Sequence, residues 1–396
     1  MRTSAAVLSA VLLVCAACAP AAAPASPAPK APAAAQPASP SATSATTSSA
    51  APAAAAPDDW RAQWETTLAA AKQEGRVVVF GPPGDSSRQA LTAFQSTYPE
   101  IQVEFFGARG ADFITRVLAE RRADQYLADV HVGGTGGIIG DLIPAGALDP
   151  LKPALIRPEV LDDSHWYNGF DWGFMDRERQ RVFSYTSYVS WSVFVNRDVI
   201  PEGEFTRLDD LLDPKYRGKI SINEPRDSSA GAFHSVVIIK QLGTDAYRKL
   251  LTEQDISVHP DTRQQVETLV RGTRPIGIGV SQAPLLEFQK QGLGRNVRPL
   301  ELPEASALTG GFGGCACLMN RAPHPNAARV YLDWLLSREG QTHWNRAYPA
   351  NSRRLDVEPV DPATLPRPGI DYFVVEREEN RAVRDEQFQL ARDLLR

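Results

Sequence analysis

Sulfur and imidazole are scarce in this chain: four cysteines, three methionines and six histidines occur among 396 residues. Two cysteines, Cys15 and Cys18, fall at the end of the sequence's apolar leader, so the rest carries only Cys315 and Cys317. That excludes a disulfide framework and a multi-cysteine metal ribbon. Neighbours two apart on a strand also stand too far along it to join comfortably, so this pair reads as small buried hydrophobes. Excess basic charge is missing as well. The formal net charge is −5, and no basic stripe with interleaved aromatics appears, which argues against a nucleic-acid partner.

What is present begins with a leader. Arg2 precedes an apolar run from Ala5 to Val14, a pattern too short to span a bilayer as a mature helix but suited to a secretory signal. Ala16 and Ala17 lead into Cys18, the pattern of a lipidated cysteine after a signal peptide of residues 1–17. Cys15 occupies a place where leucine is usual, so an ordinary cleavage near Ala17 or Ala19 stays open. Residues 18–57 then collapse to Ala, Pro, Ser and Thr with Lys30 as their single charge, a composition for an extended tether. Without Arg2 and Lys30 the balance is 40 basic against 47 acidic residues.

From about Asp58 the periodicity changes. Trp60, Trp64 and Leu68 share a helical face that Gly75 ends. Arg76–Phe80 reads as a buried strand, and Ser86 or Ser87 as the cap of a helix carrying Leu91, Phe94 and Tyr98. Alternation at Ile101, Val103 and Phe105 gives a second strand, followed by a helix near 111–122 and a strand at 129–132. Strand–helix–strand–helix–strand at this spacing predicts an α/β fold with a mostly parallel sheet. A second such unit begins at Val193–Asn196 and includes strands at 219–222 and 276–280. Cys315–Met319 and Asn326–Leu336 add a late strand and helix.

In such sheets ligands gather at the carboxyl ends of the strands. The loops at 81–87, 133–137, 185–191, 225–231, 281–282 and 310–314 hold those positions. Their candidate ligand residues are Gly84, Ser86, Ser87, Gly134, Thr135, Ser228, Ser229, Ser281 and Gln282, which offer hydroxyls and open backbone amides. Tyr185, Tyr188 and Trp191 lie where the chain crosses between units, where either at least one of them faces the cleft or the three pack as an aromatic cluster at the hinge. Arg226 is the cation of these loops, suited to grip an anionic group through two nitrogens or to pair with Asp227 on the surface.

Two enzymatic patterns overlap these residues. Gly279-Val280-Ser281-Gln282-Ala283 resembles a nucleophile elbow, but Ala283 replaces the second glycine, and only His324 and His343 follow it. Gly134-Thr135-Gly136 follows the third strand rather than the first, so a dinucleotide cofactor does not fit. No cofactor, catalytic residue or resident metal is expected.

Several segments together resemble the type 2 periplasmic solute-binding proteins, in the group with ferric-ion, phosphonate, thiamine and polyamine binders. They are Glu74–Phe80 with Ala93-Phe94 and Tyr98-Pro99, Ala128-Asp129-Val130, Phe194–Asp198, Leu211–Ile220, and His324–Arg329 continuing to Trp334–Gln341. The resemblance implies two lobes, each a mixed, mostly parallel sheet flanked by helices, with a ligand cleft between them. Lobe one falls at 59–187 plus 304–396 and lobe two at 188–303. It also implies a monomer, exported and held at the cell membrane on its periplasmic or extracellular face, that passes a small molecule to an ABC permease and its ATPase. The hinge is expected to close on ligand. Ferric-ion binders of the group carry an adjacent tyrosine pair in the loop aligned here with Ser281-Gln282-Ala283. That pair is absent, which favours a small anionic organic solute, with Tyr185 and Tyr188 as the alternative source of iron-binding oxygens.

Overall fold

The computed structural model describes residues 59–310, 314–348 and 350–395. The leader, Cys18, the tether and part of the loop at 310–314 lie outside the described residues.

Helix α1 (Asp59–Glu74) ends at Gly75, whose φ of 71° suits glycine, and leads into β1 (Arg76–Gly81). The next helices are α2 (Asp85–Thr92) and α3 (Phe94–Thr97), before β2 (Gln102–Gly107), α4 (Gly110–Arg122) and β3 (Val130–Gly133). Both β2 and β3 run parallel to β1, as the spacing predicts. The short strands β4 (Leu148–Asp149) and β5 (Phe183–Ser184), separated by α5 (Pro158–Leu161), extend this first sheet. The order β2-β1-β3-β13-β4 is completed by the late strand β13 (Cys315–Met319), antiparallel to β3. Its core is apolar on both faces: Val77, Val79 and Val130 on one, Phe80, Phe113 and Cys317 on the other.

Chain direction changes at β6 (Tyr188–Trp191), which pairs antiparallel with β12 (Ser306–Thr309). This two-stranded ribbon is the double crossing between lobes. Lobe two is the five-stranded sheet β11-β7-β10-β8-β9, built from β7 (Val193–Asn196), β8 (Ile220–Asn223), β9 (Ser257–His259), β10 (Ile276–Ile278) and β11 (Val297–Pro299). Strands β8, β9 and β10 are parallel; β7 and β11 introduce antiparallel pairs. Helices α6 (Ala230–Leu242), α7 (Thr244–Glu253), α8 (Thr262–Val270) and α9 (Gln282–Lys290) cover it. Helix α10 (Pro325–Leu336) returns to pack on α1, and α11 (Arg338–Ala347) packs on α2.

The tail after Tyr348 is anchored to both lobes. Ser352 bridges Thr186, Arg354 bridges Trp166, and Phe373 bridges Ala307. Glu378 accepts the Arg177 amide at 2.8 Å on lobe one. The last helix, α12 (Arg381–Leu394), instead packs on α6 and α7 of lobe two, where Gln387 donates to the Pro225 carbonyl at 2.9 Å. Assigning all of 304–396 to lobe one therefore misplaces α12. An amphipathic pattern tells which face of a helix is buried, not which sheet it is buried against.

Candidate functional site

Each loop at a strand end is shaped by local chemistry. After β1 the chain turns through Gly84, which occupies the N-cap of α2 with φ 120°, so Ser86 and Ser87 sit inside the first turn rather than capping it. Ser87 is buried and Ser86 exposed. After β3, Thr135 is buried and its carbonyl accepts the Ile139 amide at 2.9 Å. After β8, Ser229 caps α6 by accepting the Ala232 amide at 3.1 Å. The start of α6 presses so closely on β8 that a Cβ at Gly231 would fall 1.8 Å from the Asn223 carbonyl oxygen. Ser281 takes the N-cap position of α9 without a side-chain capping bond.

These loops line three cavities. In the first, of about 460 Å³, Gly84, Ser86 and Ser87 of lobe one face Tyr188 and Tyr348. Tyr188 continues into a second, of about 300 Å³, with Trp191, Ser281 and Gln282, walled on the tail side by Asn351 and Asp361. The third, of about 310 Å³, brings Gly134 and Thr135 against Ser228 and Ser229, and α12 closes it. Burial, the nearby Glu376 carboxylate and Tyr348 all push the Tyr188 phenol well up, so it stays protonated and able to donate at neutral pH.

Two expected ligand residues are elsewhere. Tyr185 is fully buried in the lobe-one core, edge-on to Trp344 with ring centroids 5.1 Å apart. It stands three residues from Tyr188 on an extended chain, hence on the opposite face. Arg226 is already committed: its Nε and Nη2 donate to Glu224 at 2.7 Å each, and its Nη1 to the Leu395 carbonyl at 2.9 Å. Its partner is Glu224, not Asp227, and it lines none of the three cavities.

Among the described residues no hydrogen bond joins the Ser281 hydroxyl to a histidine. The His234 ring is held between the hydroxyls of Ser190 at 2.9 Å and Ser192 at 3.0 Å, and His324 is held by Asp129. Burial takes His234 down to about pKa 3. Among the described residues no three His, Cys, Asp or Glu side chains converge as a metal site. Cys315 and Cys317 are free, buried and raised in pKa by that burial.

Sequence reasoning missed the tail's contribution: Tyr348, Asn351 and Asp361 on one side, Glu376, Arg384 and Phe388 on the other. No local motif marks them, because they reach the cleft only through the tail's path across both lobes.

Strand-end loops of two α/β lobes, facing each other across a double crossing, define a two-lobed binding protein. Residues 127–375 match the model of the bacterial extracellular solute-binding proteins, and the chain belongs to that family. An uncharacterized protein of Haemophilus influenzae is 24% identical over 291 residues, covering 69% of this chain and 76% of that one. Iron-bound HitA from Pseudomonas aeruginosa is similar in structure, with a TM-score of 0.59 at 19% identity over 81% of this chain and 99% of that one. Trichodesmium IdiA (FutA) in complex with iron and citrate gives 0.61 at 14% identity over 81% and 99%. A putative extracellular solute-binding protein from Bordetella parapertussis gives 0.61 at 14% over 82% and 100%. The fold is that of the type 2 periplasmic binding proteins.

Proposed function

We propose that this chain is the capture subunit of an ABC importer, exported, lipid-anchored through Cys18, and binding a small anionic organic solute between its lobes. The observation that carries the reading is the meeting at Tyr188, which lines both the cavity holding the lobe-one hydroxyls and the one holding lobe-two Ser281 and Gln282. Helices α2, α6 and α9 all begin at this cleft, and their unpaired amides and positive dipole ends suit an anion. A thermal-shift screen of anions, amino acids, polyamines, vitamins and metal ions tests it. A ligand at a hundredfold excess over its dissociation constant adds about 2.7 kcal/mol. A screen in which no class of solute raises the melting temperature overturns the reading. For the anchor, fatty-acid labelling marks the wild type and not Cys18→Ser; equal labelling of both rejects it.

A ferric ion is the second reading. It is favoured by Tyr188 and Tyr348 lining one cavity with Asp85, and by the iron bound in two structural relatives. Such a site would draw on phenolate oxygens and a bound anion. A visible tyrosinate-to-iron absorption band in protein loaded with ferric citrate supports iron; its absence under saturating iron removes it.

A further inference from the structure

The third cavity differs from the other two in its builder. One of its walls is α12, which follows residue 375, the last residue of the family match. That helix brings Arg384 to the cavity, opposite the start of α6. The remaining surface is mainly apolar, with Phe233, Val236, Val375 and Phe388 as its bulk.

Arg384 stands out by what it does not bond. Its Nε is buried without a hydrogen-bond partner, as are those of Arg157, Arg197, Arg353 and Arg377. Those arginines bond through their other nitrogens, whereas among the described residues the Arg384 guanidinium makes no hydrogen bond or ion pair. Arg226, at the other end of α12, has its donors satisfied by Glu224 and the Leu395 carbonyl. A desolvated guanidinium without a partner is costly, and an anion brought by a ligand removes that cost. Burial lowers the Arg384 pKa, while the Glu376 carboxylate raises it. Glu376 lines the same cavity, so a second negative charge on the occupant is repelled.

We infer that this cavity receives an organic monocarboxylate, its carboxylate paired with Arg384 and its compact branched or aromatic body against Phe233, Val236 and Phe388. The inference rests on the solute-binding reading and names a substrate class for it. Ser228, beside the first turn of α6, supplies a further donor to the same carboxylate, while the Ser229 hydroxyl is already committed, donating to the Glu224 carbonyl and accepting the Ala232 amide. Glu376 selects against dicarboxylates and accepts a zwitterion.

The test is calorimetry of the full chain with benzoate and 4-methylpentanoate, against benzamide, 4-methylpentanamide and succinate. Wild type is expected to bind the two monocarboxylates and to reject the amides and succinate. Arg384→Gln is expected to weaken monocarboxylate binding roughly ten- to a hundredfold, the scale of one charge-assisted hydrogen bond, with Arg384→Lys between the two. The melting temperature of ligand-free Arg384→Gln should equal or exceed that of wild type, since an unsatisfied charge is removed; a purely structural arginine would give a drop. Binding of amides as tight as acids, binding indifferent to Arg384→Gln, a destabilised variant, or no binding of either acid overturns the inference. In each of those cases a hit elsewhere in the broad solute screen leaves the capture function standing, and an empty screen removes both.

Discussion

The interior of lobe one and the cleft hold their arginines in different ways. Inside lobe one, Arg353 is almost wholly buried, yet its two terminal nitrogens donate to the carbonyls of Ser184 (2.9 Å), Tyr167 (2.9 Å) and Gly169 (2.7 Å). Trp166, Trp172 and Phe183 surround the guanidinium. Asp176 likewise accepts the amides of Gln180, Arg181 and Val182, and Asp129 accepts those of Val78 and His324. At the cleft the Ser281 hydroxyl makes no capping bond and Arg384 has no ion pair among the described residues. The terminal nitrogens of Arg353 are committed to the fold, whereas those of Arg384 make no hydrogen bond among the described residues. Charge alone does not separate the two classes, since arginines occur in both.

The largest expected effect breaks the committed side. Arg353→Met leaves three buried carbonyls without donors and should lower the unfolding free energy by about 3 kcal/mol or more in urea titrations. A loss under about 1 kcal/mol would mean that water replaces the guanidinium and that the contrast drawn here is false.

Next comes acid sensitivity. Burial depresses His131, stacked on Phe113, and His234 to about pKa 3 from 6.5. Between those values the unfolded chain binds protons that the folded chain refuses. Stability therefore falls as pH falls from 6.5 toward 3, by about 1.4 kcal/mol per unit for each histidine. Asp333, raised to about 6 by burial, opposes this between 6 and 3.8, where the folded form takes the extra proton. His131→Phe should flatten the profile by one histidine's share; identical slopes for variant and wild type would reject the assignment.

Smaller effects fall at the cleft. Tyr188→Phe should weaken a confirmed solute by about 1 kcal/mol, the value of one hydrogen bond, while leaving ligand-free stability nearly unchanged. Loss of stability without loss of affinity would move Tyr188 to the committed class. Scattering with and without that solute should show compaction through hinge closure, and an unchanged radius of gyration would indicate a rigid cleft. Least of all at the cleft, Arg226→Ala should leave solute affinity unaltered, its cost of about 1–3 kcal/mol falling on stability because the buried Glu224 carboxylate loses its partner. A marked affinity loss would reinstate Arg226 as a ligand residue.

Much of this architecture was legible before any coordinates. Runs such as Arg76–Phe80 and the alternation from Ile101 to Phe105 announce strands because burial on one or both faces of a sheet dictates the pattern. The glycine and serine loops that follow them were legible too, since strand ends in α/β sheets place loops together. Tyr188 could be placed near the crossing, but not told apart from Tyr185, the same residue type three positions earlier on the opposite face.

The sequence by itself determined the elements, their parallel order and the residues at most strand ends, because these depend on hydrophobic period and turn chemistry within a few residues. Tertiary structure alone decided which charged groups are free. Arg226 is neutralised by Glu224 two residues away and by a carbonyl at Leu395 that only α12 brings near. Arg384 reaches the cleft because the tail crosses from lobe one to lobe two before its last helix. A hydrogen bond depends on positions within a fraction of an ångström, and chain segments more than a hundred residues apart acquire such positions only when the lobes are packed.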